Sequence, residues 1–272
     1  MASVRHYHNH YHFSYNTSLK KHFSSILAVA LLLVIILLLA FHFISPYRAL
    51  INFGQLSPSQ VLIASASTVI RLTIAYILSL IFAVPLALLI TARKNLEKVL
   101  LPFFDILQSI PVLAFFPVIV LFFIKVKFFD GAAIFVLFMA MLWNLVFSMI
   151  GGLKTIPQDI QQTAFVFKAK GFKKLWFITL PAIFPYIVTG SLLAWAQGWN
   201  IIIVAEVLHN YIPNGNSSQD LQGLGSLLVN AILQGQNTVF IVTLIVMIIF
   251  IGIINFFIWQ KLLHFAERYK FE

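Results

Sequence analysis

Residues 61–90 read VLIASASTVIRLTIAYILSLIFAVPLALLI, thirty positions with a single charge, Arg71. A helix needs about 20 mainly apolar residues to cross a hydrocarbon core roughly 30 Å thick, so this run can span a bilayer with residues to spare. Five more runs meet the same criterion: residues 26–44, 99–124, 132–150, 182–207 and 237–259. None alternates over about ten residues as the strands of a membrane barrel do. The run 26–44 is too long for the core of a signal peptide, and Ser45, Pro46 and Tyr47 follow it without a small-residue cleavage pattern. It reads as a retained helix. The expectation is an all-α polytopic membrane protein with six transmembrane helices.

Composition agrees. Of 272 residues, 61% are hydrophobic and 10% charged, against about 25% charged in ordinary soluble domains. A compact body with so few charges could not cover its own surface in water, which excludes a soluble enzyme and a disordered chain. The net charge of +10 and pI near 9.9 come from lysines and arginines in the connecting segments. With the N-terminus inside, the inner segments carry fourteen, among them Arg5, Lys20, Lys94, Lys154, Lys173, Lys174 and Lys261. The outer segments carry Arg48, Lys125 and Lys127. This bias predicts both termini in the cytoplasm and explains the basic pI without a nucleic-acid partner. No cysteine is present, so disulfides and thiolate metal sites are excluded.

The implied organisation is a cytoplasmic tail (1–25), a first helix with an external linker (26–60), a core of five helices (61–262) and a short cytoplasmic tail (263–272). The core carries two hydrophilic insertions, a cytoplasmic loop at 151–181 and an external segment at 209–236.

In the cytoplasmic loop, Gly151-Gly152 closes the fourth span and Pro157 suits the first turn of a new helix. Ile160, Ala164 and Phe167 then fall at i, i+4 and i+7, an apolar stripe. Gly171 breaks the pattern, and residues 172–177 can form a second short helix before Leu180-Pro181.

Within this loop, Gln162-Thr163-Ala164, three residues, Lys168, nine residues and Ile178-Thr179-Leu180-Pro181 resemble the EAA loop of ATP-binding-cassette importer permeases. Ala164, Ile178, Leu180 and Pro181 match at the right spacing. Gln162 stands where that family has Glu, and Lys168 where it has Gly, with Gly171 three residues later. The stretches Leu107-Gln108-Ser109-Ile110-Pro111-Val112-Leu113-Ala114-Phe115-Phe116-Pro117, residues 180–190 and Gly198-Trp199-Asn200 with Val204-Ala205-Glu206 are similar to the subgroup importing nitrate, sulfonates and taurine. The resemblance implies a type I importer permease in the inner membrane of a prokaryote, moving a small anion such as nitrate, a sulfonate or bicarbonate by alternating access. It implies three kinds of partner: cytoplasmic ATPase subunits that hold ATP and Mg, a second permease copy or homologue, and an external solute-binding protein. It implies no cofactor or catalytic residue on this chain. Gln162, Thr163, Ala164, Phe165, Phe167, Lys168, Gly171, Phe172, Trp176, Leu180 and Pro181 would form the ATPase-coupling loop.

Magnitudes limit how such a loop works. Swinging a two-state gate from 1:99 to 99:1 takes about 5.5 kcal/mol of differential binding. One neutral hydrogen bond from Gln162 contributes about 1 kcal/mol, whereas each large buried side chain contributes roughly 1.5–3 kcal/mol. The coupling surface is therefore expected to rely on Phe165, Phe167, Phe172 and Trp176.

Polar positions inside the spans are candidates for a translocation path: Arg71, Gln108, Ser109, Asn144, Ser148, Gln197, Asn200 and Glu206. Arg71 reads either as a cation lining an anion path or as a side chain snorkelling outward, and Glu206 as a structural partner or gate element, with Lys125 or Lys127 as possible partners. Asn144 and Ser148 (i, i+4) share one face of a helix and Gln197 and Asn200 (i, i+3) another, while Gly198 permits close approach. In the external segment, residues 226–233 form an apolar run too short to span, read as a half-helix at the outer mouth. Asp220 is a candidate contact for the binding protein. His6, His8, His10 and His12 could share a face and hold a metal, but read more simply as tail. No nucleotide-binding G-x-x-x-x-G-K-[ST] motif or nucleophile–base set occurs. The alternative is an ion-driven secondary transporter, which predicts paired broken helices and intramembrane carboxylates; Asp105 is the one acid well inside a run.

Overall fold

A computed structural model of the chain describes residues 57–168, 171–212, 214–215 and 217–269. The expected first span at 26–44 and the histidines of the tail lie outside the described residues. Among the described residues the protein is helical, without strands.

Eight helices order the described residues: α1 (Pro58–Thr91), α2 (Lys94–Ser109), α3 (Phe116–Lys125), α4 (Phe129–Lys154), α5 (Gln158–Val166), α6 (Gly171–Ala205), α7 (Leu224–Leu233) and α8 (Asn237–Tyr269). Four of them (α1, α4, α6 and α8) are long and apolar enough to cross a membrane, and α2 with α3 makes a fifth if counted as one broken span. The chain is thus a multi-pass membrane protein.

The apolar run 99–124 was expected to form one continuous helix. Instead α2 and α3 meet at 71° across a break. The cause is local: Pro111 lacks an N–H to continue α2 and forces Ile110 out of the helical region, to φ −76°, ψ 123°. A 3₁₀ turn, Val112–Phe115, then feeds α3, with Pro117 in its first turn.

The loop also departs from expectation. Residues 172–177 do not form a separate short helix; α6 runs unbroken from Gly171 to Ala205, passing through a wide π turn at Leu175–Thr179. Leu180 N–H reaches back five residues to the Leu175 carbonyl, and Pro181, which has no N–H to donate, follows in the first turn beyond this wide segment. Gly151 and Gly152 do not close the fourth span, since α4 continues to Lys154.

The core lies where α4 packs against α1 and α6. Its contact faces are built from small residues: Ala64, Ser65, Thr68, Ala75, Ser79, Ala83 and Ala87 on α1 are all buried. Lipid tails are as apolar as Leu, so helices in a bilayer associate through close packing and hydrogen bonds rather than hydrophobic burial. Two glycines of α6 show this. A Cβ on Gly190 would stand 2.7 Å from Cβ of Ser148 on α4, and one on Gly198 would collide with Met141 and reach 2.8 Å from Leu72. Ser79 Oγ donates across the α1–α4 seam to the Phe138 carbonyl at 3.0 Å. Tyr76 on α1 donates to Ser191 on α6 at 2.8 Å. Outward faces are strongly apolar, with Ile81, Phe82, Val118, Ile248, Ile249 and Phe256 exposed. These are surfaces for lipid.

Candidate functional site

Two constructions stand at opposite ends of the bundle. The first is the elbow between α4 and α6. After α5 the chain reverses through two left-handed residues, Lys168 at φ 51° and Gly171 at φ 56°. Glycine adopts that region freely, whereas a residue with a Cβ does so at a cost. Both positions take part in the turn. Ile160 is half-buried toward the bundle and Gln162 is exposed. The side chains of Thr163, Ala164 and Phe165 are outside the described set.

The elbow presents bare aromatic surface. Phe167 is 78% exposed, Phe172 74%, Phe177 73% and Trp176 56%. Phe172 and Trp176, one turn apart on α6, stack with ring centroids 6.0 Å apart. Lys173 and Lys174 lie between them, exposed. Leu180 and Pro181 are half-buried in the first turns beyond the π segment. Behind the elbow lies a cleft of about 760 Å³ between the ends of α1, α4 and α6 and the start of α2. Lys154 and Glu97 form an ion pair on its wall.

The second construction closes the opposite end. Thr68 and Arg71 are one turn apart on α1, both buried. Arg71 donates from Nη1 to Glu206 Oε1 at 2.8 Å and to the Gln222 carbonyl at 2.9 Å, and from Nε to Asp130 Oδ1 at 2.7 Å. Thr68 donates to Glu206 Oε1 at 2.7 Å. The start of α7 completes the set: Gly225 N–H donates to Glu206 Oε2 at 2.8 Å and Leu224 N–H to Thr68 Oγ1 at 2.9 Å. A helix N-terminus carries unpaired N–H groups and partial positive charge, so a carboxylate there satisfies both. Three helices (α1, α6 and α7) thus meet on one carboxylate that is 0% exposed, and α4 joins them through Asp130 on Arg71.

Neither Lys125 nor Lys127 is the ion-pair partner of Glu206; Arg71 is. Asp130 was not foreseen as a member. Glycine explains part of the geometry, since a Cβ on Gly223 would run into the Glu206 carboxylate. The short run 226–233 is indeed a helix, and its two leading glycines are what let it approach.

Asp220 is not a free acidic contact. Its side chain is 3% exposed and accepts from Leu208 N–H (2.9 Å), His209 N–H (3.0 Å) and Asn230 Nδ2 (3.0 Å), with His209 Nδ1 at 2.8 Å. It pins the segment after α6 to α7.

The remaining polar positions do not gather into one group. Gln108 and Ser109, exposed at the end of α2, bond locally to Asp105. Ser148, half-buried, stands against Gly190, with the Asn144 backbone beside it. Gln197 is half-buried and Asn200 exposed on α6.

Residues 79–268 match the family model described as binding-protein-dependent transport system inner membrane component. The chain belongs to this family. The family is one of membrane transport components, not of enzymes. Among similar proteins, the nitrate import permease protein NrtB of Leptolyngbya laminosa is 28% identical over 70% of this chain and 62% of its own length. The bicarbonate transport system permease protein CmpB of Synechococcus elongatus is 31% identical over 51% of this chain and 49% of its own. The taurine transport system permease protein TauC of Escherichia coli is 24% identical over 53% and 51%. The matches span about half to three-fifths of these relatives.

Proposed function

We propose that this chain is the membrane-spanning subunit of an ATP-driven importer for a small anion, set in the inner membrane of a prokaryote with its elbow on the cytoplasmic side. The substrate class follows the relatives, whose names specify nitrate, bicarbonate and taurine. A separate ATPase, carrying ATP and Mg, docks on the elbow. An external binding protein delivers the solute, and a second permease copy or homologue completes the path.

The observation that carries this reading is the bare aromatic surface of Phe167, Phe172 and Trp176 on the elbow. Large aromatics in a polar connecting segment call for a cover. Burying three of them, at roughly 1.5–3 kcal/mol each, reaches the about 5.5 kcal/mol that a two-state gate requires. The path takes neutral polar groups: Asn200 and Gln197 from α6, Gln108 and Ser109 from the broken α2–α3 pair, and Asn144 and Ser148 from α4. Arg71, balanced by Glu206 and Asp130, holds the outer ends together instead of attracting the anion.

Purification of the chain from its native membrane tests the reading. An ATPase should accompany it in fixed proportion, and binding protein loaded with nitrate, bicarbonate or taurine should stimulate ATP hydrolysis. No accompanying ATPase, or hydrolysis indifferent to every loaded binding protein, overturns it.

A further inference from the structure

The cleft behind the elbow shares Gly171 with the coupling loop, but the rest of its lining serves neither coupling nor translocation. Its floor is apolar, with Leu88 from the end of α1, Ile160 from α5 and Ile178 from α6. Its rim is basic, with Lys94 at the start of α2, Lys154 at the end of α4 and Lys174 near the start of α6. Glu97 is the one acid in the lining and is taken by Lys154. Among the described residues no ion pair joins a carboxylate to Lys94 or Lys174, which set two positive charges over an apolar floor.

We infer that this cleft binds the headgroup and first acyl carbons of an anionic phospholipid. Three observations favour that occupant. The cleft sits where α1 ends at Thr91 and α2 begins at Lys94, the level at which an apolar span gives way to headgroups. Its mouth is continuous with lipid-facing surface, since Leu89, Leu96 and Val99 beside it are exposed. Its volume of about 760 Å³ suits an amphiphile of drug-like size, sites for which run roughly 300–1,000 Å³. An inorganic anion comparable to a water molecule, about 30 Å³, would leave it nearly empty. Basic pockets between spans on the cytoplasmic side are suited to such headgroups.

The site has a consequence for the elbow. Ile160 belongs to α5 and Lys174 and Ile178 to α6, so a lipid held there bridges both arms of the elbow to α1 and α2. Bound lipid braces the elbow against the bundle.

The inference rests on the membrane assignment and not on the importer reading, so its test needs no transport. The full-length protein is placed in nanodiscs of phosphatidylcholine with a minor fraction of phosphatidylglycerol, and the lipids retained after delipidation are counted by native mass spectrometry. Phosphatidylglycerol should be retained selectively. Each lysine is worth about five-fold in affinity near a membrane surface, so Lys94→Gln with Lys174→Gln should cut retention by roughly 25-fold. Lys125→Gln with Lys127→Gln, at the far end, should leave it unchanged. Ile178→Trp, which fills the floor but keeps the rim, should also release the lipid. Equal retention by wild type and the Lys94/Lys174 variant overturns the inference. So does displacement by millimolar inorganic phosphate with Ile178→Trp still binding, because that describes a soluble-anion site.

Discussion

Arg71 and Glu206, separated by 135 residues in sequence, meet at 2.8 Å with the carboxylate wholly buried. The pair ties the first described helix to the far end of α6. It occupies the same layer as the N-terminus of α7, so one cluster fixes three elements that the chain visits at long intervals.

Removing one member should therefore be far worse than removing both. Arg71→Ala leaves a buried, uncompensated carboxylate and should cost about 3–5 kcal/mol. The double variant Arg71→Met with Glu206→Met should recover most of that loss, since well-packed apolar replacements of buried pairs are often neutral. Thermal unfolding in detergent, comparing single and double variants, checks the order.

The glycines around the cluster separate two roles. Gly225→Ala would place Cβ 2.7 Å from the Ile202 carbonyl and 2.9 Å from Glu206 Oε2, and overpacking of this kind costs typically about 1–3 kcal/mol. Gly151→Ala, in α4 with nothing within 4 Å, should instead stabilise by about 0.5–1 kcal/mol. Opposite shifts in melting temperature are the expected result.

At the elbow, Lys168 holds a left-handed conformation that costs a residue with a Cβ roughly 1–2 kcal/mol. Lys168→Gly should be neutral or slightly stabilising, because relief of that cost is partly offset by the greater freedom of glycine in the unfolded chain. Gly171→Val should destabilise by about 1–2 kcal/mol. Protease sensitivity of residues 155–178 measures both.

Four of the six runs were legible as long helices, α1, α4, α6 and α8, because length and apolarity alone specify a bilayer-crossing helix. The 71° bend at Ile110-Pro111 was not legible in the apolar run 99–124, because the angle depends on how α3 packs on α4. Arg71 stood out as the lone charge in its run, yet its partner did not. Nothing local distinguishes Glu206 from Lys125 or Lys127 as a neighbour when the pairing is set by which helix ends meet. Asp220 misled for a related reason: beside Asn and Ser it looks like an exposed loop acid, and only the return of α7 buries it against His209 and Asn230.

Asp220 should accordingly behave as a structural residue. Asp220→Ala strips acceptors from two backbone N–H groups and from Asn230, and each unsatisfied buried donor costs about 1–3 kcal/mol. Melting temperature should fall in the isolated chain, with no binding protein present. An unchanged melt would return Asp220 to the surface.

The account stands most directly on what touches Phe167. A photo-crosslinking side chain at that position, in the assembled transporter during ATP turnover, should join the permease to the ATPase subunit in near-stoichiometric yield. Crosslinks to lipid and water alone, together with full transport-coupled hydrolysis in Phe167→Ser with Phe172→Ser, would contradict it.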